Sequence, residues 1–396
     1  MTRLMHEFPP SADTQVTLAN WRQAPFSRWA FHHVRELVPS ADIPNDPGGV
    51  HDWPLDRLDL GAMPIEVGGV RPLSFDEFLA VTSTDGIVVV SRGQIVFERY
   101  ANGMTVTTPH ILMSVSKSLL GLVAGVLAAS GRLEPDRNVT DFVPEVGGTA
   151  YQGATVRHLL DMRAGVTFDE DYLATSGAII AYRKAANWVP LDPGEAPSDL
   201  RSFYTAMTER DGPHGGRFHY VSPNTDLLGW VIERATGRRY ADLISELIWR
   251  PIGAARSAYI TVDRLGAPRS AGGICATLRD LALVGQLIAN GGTRGGKQVL
   301  PRAWLDDIAA SGDRRAWSAG DFAAYLPGAR YRSKWYVDDS DGPLLFGLGI
   351  HGQYLFVDAE RQLVIAKVSS QDPPLDATLI ASTLRAVSAI RRTLAG

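Results

Sequence analysis

The sequence predicts a mixed α/β (α+β) fold in which an antiparallel sheet, assembled from both ends of the chain, is flanked by helices and interrupted by a mostly helical insertion. Three observations predict it. Two β-branched runs, 86–91 and 94–100, flank the two-residue loop Arg92-Gly93, a β-hairpin signature. A second pair, 353–357 and 362–368, brackets Asp358-Ala-Glu-Arg361 near the other end. Between them, 115–130, 155–163, 198–209, 224–236, 240–247 and 277–290 read as helices. Pairing strands from both ends under a layer of helices closes this arrangement most simply. The expected division is a sheet-containing unit, 1–105 with 270–396, and a helical unit, 106–269.

Along the chain, residues 1 to about 70 are rich in Trp, Pro and Asp with little periodicity. They are expected to form an irregular arm wrapping the domain, since its tryptophans and phenylalanines would be costly to leave in water. A short helix is expected over 73–79, ahead of the first hairpin. The segment 119–129, Leu-Leu-Gly-Leu-Val-Ala-Gly-Val-Leu-Ala-Ala, is apolar all round and so predicts a buried helix, ending at Ser130-Gly131. At the far end, Leu379, Ile380, Leu384, Val387 and Ile390 give 375–394 the stripe of an amphipathic helix lying across a sheet.

Composition narrows the function. Of 396 residues 45% are hydrophobic and 21% charged, with a net charge of −4 and no basic block. Phosphate affinity needs clustered Lys and Arg, so nucleic acid and anionic membranes are not expected partners. The single cysteine, Cys275, excludes an intrachain disulfide and a cysteine-rich metal site. The first ten residues lack the apolar core of a signal peptide, and 119–129 is too short for the roughly 20 residues a bilayer requires, so a cytoplasmic location is expected. The histidines show no ligand spacing, so no metal and no cofactor is expected. A homodimer is the default assembly of a soluble enzyme.

The sharpest local signal is Met113-Ser-Val-Ser-Lys117 at the mouth of the apolar helix, with lysine used only five times in the whole chain. Ser114 and Lys117, three apart, project from one face of the first turn. The positive end of the helix dipole favours a developing alkoxide there and disfavours an ammonium, and partial burial lowers a lysine pKa in the same sense. Lys117 could then take the Ser114 proton. The alternative, equally open on local sequence, makes Ser114 a helix cap and Lys117 a snorkelling surface lysine.

Ser-x-x-Lys followed by a Tyr/Ser-x-Asn element and a Lys-Thr-Gly-type strand is the motif set of β-lactamases and penicillin-binding proteins. From about residue 80 onward the chain resembles the serine-reactive β-lactamase-like hydrolases, most of all the 6-aminohexanoate-dimer (nylon oligomer) hydrolases and their esterase relatives. The motifs that carry the resemblance occur in the same order. They are Met113-Ser-Val-Ser-Lys117, Thr155-Val-Arg-His-Leu-Leu-Asp-Met-Arg-Ala-Gly-Val166, Phe168-Asp-Glu-Asp-Tyr172, His219-Tyr-Val-Ser-Pro-Asn-Thr-Asp-Leu-Leu-Gly229, Ala271-Gly-Gly-Ile-Cys-Ala-Thr-Leu-Arg-Asp280 and Gly347-Leu-Gly-Ile-His-Gly352. The fold so implied is the β-lactamase/transpeptidase-like one.

The resemblance implies Ser114 as the acylated nucleophile, Lys117 as its proton partner, and Tyr220, its pKa lowered by the neighbouring cation, as the group that passes a proton to the leaving group. It implies an oxyanion hole from the backbone N–H groups of Ser114 and Ile350. Substrate contacts are expected from Tyr172, from Trp188 as a mobile aromatic lid or a core residue, from Ser222 where the family often has asparagine, and from His351. Gly347-x-Gly349-x-x-Gly352 also spells a dinucleotide fingerprint, but the strand-like 353–357 follows where a helix would be needed. Gly347 stands where β-lactamases carry a cation, which with the missing export signal argues against β-lactamase or DD-peptidase action. In amide-cleaving relatives an acidic group near 173–184 is thought to meet the substrate's amino end, and this sequence has none there. The expected substrate is therefore a small ester before a linear amide. The alternative from another class is a binding or sensor module that acylates without turnover.

Overall fold

The computed structural model describes residues 4–68 and 71–395. The ends of the predicted arm and of the chain, residues 1–3, 69, 70 and 396, lie outside them.

A seven-stranded antiparallel sheet forms the centre, in the order Arg330–Arg332, Trp335–Asp338, Leu344–Gly349, Gln353–Asp358, Leu363–Ser369, Thr84–Ser91 and Gln94–Tyr100. Strands from both ends of the chain meet where Leu363–Ser369 pairs with Thr84–Ser91, Ile365 opposite Val89. Arg92 and Gly93 both take positive φ, 49° and 80°, as a type I′ hairpin turn requires.

Helices cover both faces, which explains why the strands read as continuous apolar runs rather than alternating ones. Val88, Val90, Leu355, Val357, Val364 and Ala366 pack toward the Leu278–Ala289 helix and the main core. The alternate residues, Val89, Phe356 and Ile365, join Ile380, Val387 and Ile390 of the Ala377–Ala395 helix in a second core. Gly285 lets the first helix lie directly on the sheet: a methyl there would come within 2.3 Å of a Val364 methyl carbon.

The Val115–Ala129 helix is buried along almost its whole length, as its uniform apolarity predicts. Its glycines face other elements at close range, Gly121 against the Ser333 carbonyl and Gly125 against the Trp304 ring. The Trp304 indole N–H donates to the Gly121 carbonyl at 3.1 Å.

The structure also departs from the sequence reading. A second antiparallel sheet, Ser40–Ile43, Ala258–Thr261, Ile274–Ala276 and His110–Ile111, draws strands from the supposed arm and from the supposedly helical middle. Strands of two to four residues are too short to show a period of two. The helix expected over 73–79 runs Phe75–Val81 behind a Ser74 capping box, and that over 198–209 is only Leu200–Phe203 plus a 3₁₀ turn, Tyr204–Ala206. Ala178–Ala185 is a helix that the sequence periodicity does not mark. The arm also holds a one-turn helix, Ser27–Ala30, a 3₁₀ turn, Val34–Glu36, and a short strand, Pro64–Ile65, and Trp21 and Phe31 are buried in the main core. No helix among the described residues is long and apolar enough to cross a membrane.

Gly285→Leu tests the helix-on-sheet contact. Overpacking at a site where even one methyl collides is expected to cost roughly 1–3 kcal/mol or more, read as a lower urea midpoint with an unchanged m-value.

Candidate active site

The chain enters the site from His110–Ile111 and turns at Met113, a bulky residue held at φ 44°, directly before the Val115–Ala129 helix. This left-handed kink in a non-glycine residue is a strained feature of the kind found at functional turns. It leaves Ser114 as the helix N-cap with its side chain free of capping duty. The first-turn geometry then brings Lys117 Nζ to 2.7 Å from Ser114 Oγ and, on its other side, to 2.7 Å from the Ala271 carbonyl. Lys117 is only 2% exposed. Burial pushes its pKa down to about 7, with Glu170 and Asp226 opposing and Arg269 assisting. The snorkelling alternative does not hold.

Tyr220 lies on the far side of the amine, its ring centroid 5.0 Å from Lys117 Nζ. Its phenol is buried and interacts with the Ser114 side chain. The expectation that a neighbouring cation lowers its pKa is corrected, since burial and Glu170 push it well up and outweigh the Ser114 interaction. Tyr220 is a phenol, not a phenolate.

The strand Leu344–Gly349 runs against the start of the helix, and glycine makes that approach possible. A methyl at Gly347 would meet Ser118 Oγ at 2.7 Å, and one at Gly349 would meet the Leu112 carbonyl at 2.8 Å and the Ser114 amide nitrogen at 2.9 Å. Ile350, next in the chain, lines the same cleft as Ser114. The strand that follows, Gln353–Asp358, excludes a Rossmann glycine loop.

The cleft at Ser114 brings Tyr172, Trp188, Ser222 and Ile350 together with the serine. A second, wider cleft lies on the Tyr220 side, and Tyr172 and Glu170 line both. Trp188 is braced on two sides: its indole N–H donates to Thr261 at 3.1 Å, and its carbonyl accepts from Trp21 of the arm at 2.9 Å. The Trp21 and Trp188 rings meet edge to face. Ser222 gives both its hydroxyl and its amide N–H to the Glu170 carboxylate. His351 lines neither cleft; its Nδ1 is 2.7 Å from the Gln371 carbonyl and its ring packs on Phe31. Burial holds its pKa down to about 4.

Three residues escaped the sequence reading. Glu170 sits in the Phe168–Tyr172 motif, where nothing local separates it from Asp169 and Asp171. Asp226 and Arg269 form a buried ion pair beneath the cleft. Asp226 also accepts from Tyr182 at 2.5 Å and from the Ala271 amide at 2.7 Å, so it fixes the peptide segment whose carbonyl holds Lys117. Burial opposes the Arg269 charge, but Asp226 and Tyr182 more than offset it. The sequence signal was slight: Asp226 lies inside the 219–229 motif, and Arg269 lies two residues ahead of the 271–280 motif, outside it. Among the described residues no group of three or more metal-ligating side chains converges.

Comparison with known proteins agrees with this architecture. A family model described as Beta-lactamase matches residues 75–389. The chain is 35% identical over 367 residues to a 6-aminohexanoate-dimer hydrolase of Paenarthrobacter ureafaciens, covering 93% of this chain and 91% of that one. It is 26% identical over 190 residues to esterase EstB of Burkholderia gladioli, 47% of each chain. A solved structure from Bacillus anthracis, provisionally assigned as a 6-aminohexanoate-dimer hydrolase, superposes with a TM-score of 0.88 at 27% identity, over 97% of this chain and 98% of that one.

Removing the Asp226 charge would strand Arg269 in the interior. Asp226→Asn is expected to lower stability by about 3–5 kcal/mol, measured by urea unfolding, whereas a change under about 1 kcal/mol would show that the pair is not the support of this segment.

Proposed function

We infer the reaction from the premise that the chain belongs to the beta-lactamase family and is a hydrolase of the serine β-lactamase-like kind. Its substrate in this reading is a small carboxylic ester, and secondarily a linear amide, cleaved through an acyl-enzyme on Ser114. The relatives named as a 6-aminohexanoate-dimer hydrolase and an esterase support both bond types. The observation that carries the reading is the 2.7 Å contact between Ser114 Oγ and the buried Lys117 amine.

An amine with a pKa near 7 is uncharged in about half of the molecules at neutral pH and so can accept a proton. As Ser114 Oγ bonds to the substrate carbonyl carbon, its proton passes to Lys117. The carbonyl oxygen takes up the negative charge between the N–H groups of Ser114 and Ile350, where two donors fixed in advance are worth a few kcal/mol each. Collapse of this intermediate breaks the bond to the leaving oxygen or nitrogen, which takes the phenolic proton of Tyr220. The Lys117 ammonium then returns a proton to Tyr220 in this scheme. Water next adds to the acyl carbon, gives its proton to Lys117 and releases the acid, and Ser114 recovers its proton. Deacylation by a general base distinguishes this reading from a sensor that stops at the acyl-enzyme.

Tyr172, Trp188 and Ser222 shape the cleft rather than transfer protons in this scheme. Ser222 acts through Glu170, which it orients between the two clefts.

Two measurements test the reading. With a 4-nitrophenyl acyl ester, steady nitrophenol release by the wild type and a loss of about 10⁴-fold or more in Ser114→Ala are expected; intact mass should show a transient acyl adduct in the former only. A stable adduct without turnover would favour the sensor, and undiminished turnover in the variant would refute Ser114. The pH profile supplies the second. Since only uncharged Lys117 accepts the proton, kcat/KM for an uncharged ester should fall as pH drops through about 7 and level off above it. A profile flat from about pH 5 to 9 would remove Lys117 from the role of base.

A further inference from the structure

We propose that the cleft at Ser114 holds an anionic group on the acyl part of its substrate, so that the preferred substrates are half-esters or half-amides of a dicarboxylic acid, with the free carboxylate held by Arg22 and Arg183. This rests on the reading of Ser114 as nucleophile.

Three guanidinium groups line this cleft, Arg22, Arg183 and Arg269. Arg269 is committed to Asp226 and Tyr182. The other two have no carboxylate partner among the described residues. Arg183, 5% exposed, donates only to main-chain carbonyls, those of Tyr172 at 3.0 Å and Ala174 at 3.4 Å. Arg22 comes from the arm, and burial together with Arg183 and Arg269 presses its pKa down to about 9. Like charges gathered in a half-buried cleft are unfavourable unless something negative joins them. Glu170, the one carboxylate in the lining, is held by Ser222 and forms no ion pair with Arg22 or Arg183, and its single charge, though it favours the Arg183 cation, offsets only part of two. His351, close enough for Arg22 and Arg183 to hold its pKa down further, adds no charge.

The opposite cleft has the opposite sign. Asp169, Glu170, Asp171 and Asp321 line it beside Tyr220. Tyr220 protonates the leaving group, so the leaving group occupies the acidic side and the acyl chain the basic one. An anionic leaving group would be repelled there, whereas an anionic acyl chain would meet two planar guanidiniums suited to carboxylate.

The test compares two esters that differ in one charge, mono-4-nitrophenyl glutarate and its methyl ester, 4-nitrophenyl methyl glutarate, using the full-length protein. The wild type is expected to favour the anionic ester in kcat/KM by about tenfold or more, and glutarate should inhibit hydrolysis of 4-nitrophenyl butyrate competitively where glutaramide does not. In Arg22→Gln and Arg183→Gln the ratio should fall toward one, with Arg22→Lys retaining part of it. The ratio is taken within each variant, so a loss of folded protein does not mimic the effect, and Arg22→Gln decides the matter if Arg183→Gln does not fold. A wild-type ratio of one or less, or a ratio unchanged in both variants, overturns the proposal while leaving the Ser114 mechanism standing. No turnover of either ester and no adduct on Ser114 would instead overturn that mechanism, and this inference with it.

Discussion

An amine held away from water at 2.7 Å from a serine oxygen loses its charged form's hydration, and the structure has to supply both the enclosure and the geometry that make this loss useful. The enclosure is an apolar helix seated on a strand through Gly347 and Gly349, with Tyr220 closing the remaining side. The geometry comes from the Ala271 carbonyl, which accepts from Lys117 and whose own peptide segment is tied to Asp226. Arg269, Tyr182, Ser270 and the Ala271 amide together satisfy the buried Asp226 carboxylate. A second buried lysine, Lys334, has its pKa driven far down by burial and by the charge of Lys117. The proton chemistry of the site is thus set by packing, one layer removed from the reacting atoms.

Much of this was legible in the sequence, and unevenly so. The two hairpins, the apolar helix and the C-terminal amphipathic helix show themselves because each is long enough to display a period, and Ser114 and Lys117 because one helical turn fixes their relation. Tyr220, Tyr172, Trp188 and Ile350 were placed by resemblance, and the fold brings all four to the two clefts. The second sheet was invisible because its strands are two to four residues long and gather pieces 230 residues apart, from Ser40 to Ile274. Glu170 and Asp226 were missed for another reason. A carboxylate declares its role through its partner, and Ser222 and Arg269 are joined to them only by the tertiary fold. Arg22 is the extreme case: it lies in a stretch without periodicity, and only the path of the arm puts it beside Arg183.

The wall made by Glu170 and Tyr172 divides the site into halves of opposite charge. Ser114 lines one and Tyr220 the other, so in the proposed reaction the bond to be cleaved lies across the wall. Glu170 also acts through its charge on both Lys117 and Tyr220. Altering the wall would change selectivity and acid–base behaviour together.

The bond from the Trp21 indole to the Trp188 carbonyl spans 167 positions of the chain. Trp21 is synthesised long before Trp188, and Trp188 before the Thr261 that receives its own N–H. The arm can therefore make this bond only once residue 188 exists, and the Trp188 ring is fixed only once Thr261 follows, so one side of the cleft is held together by three widely separated segments of the chain.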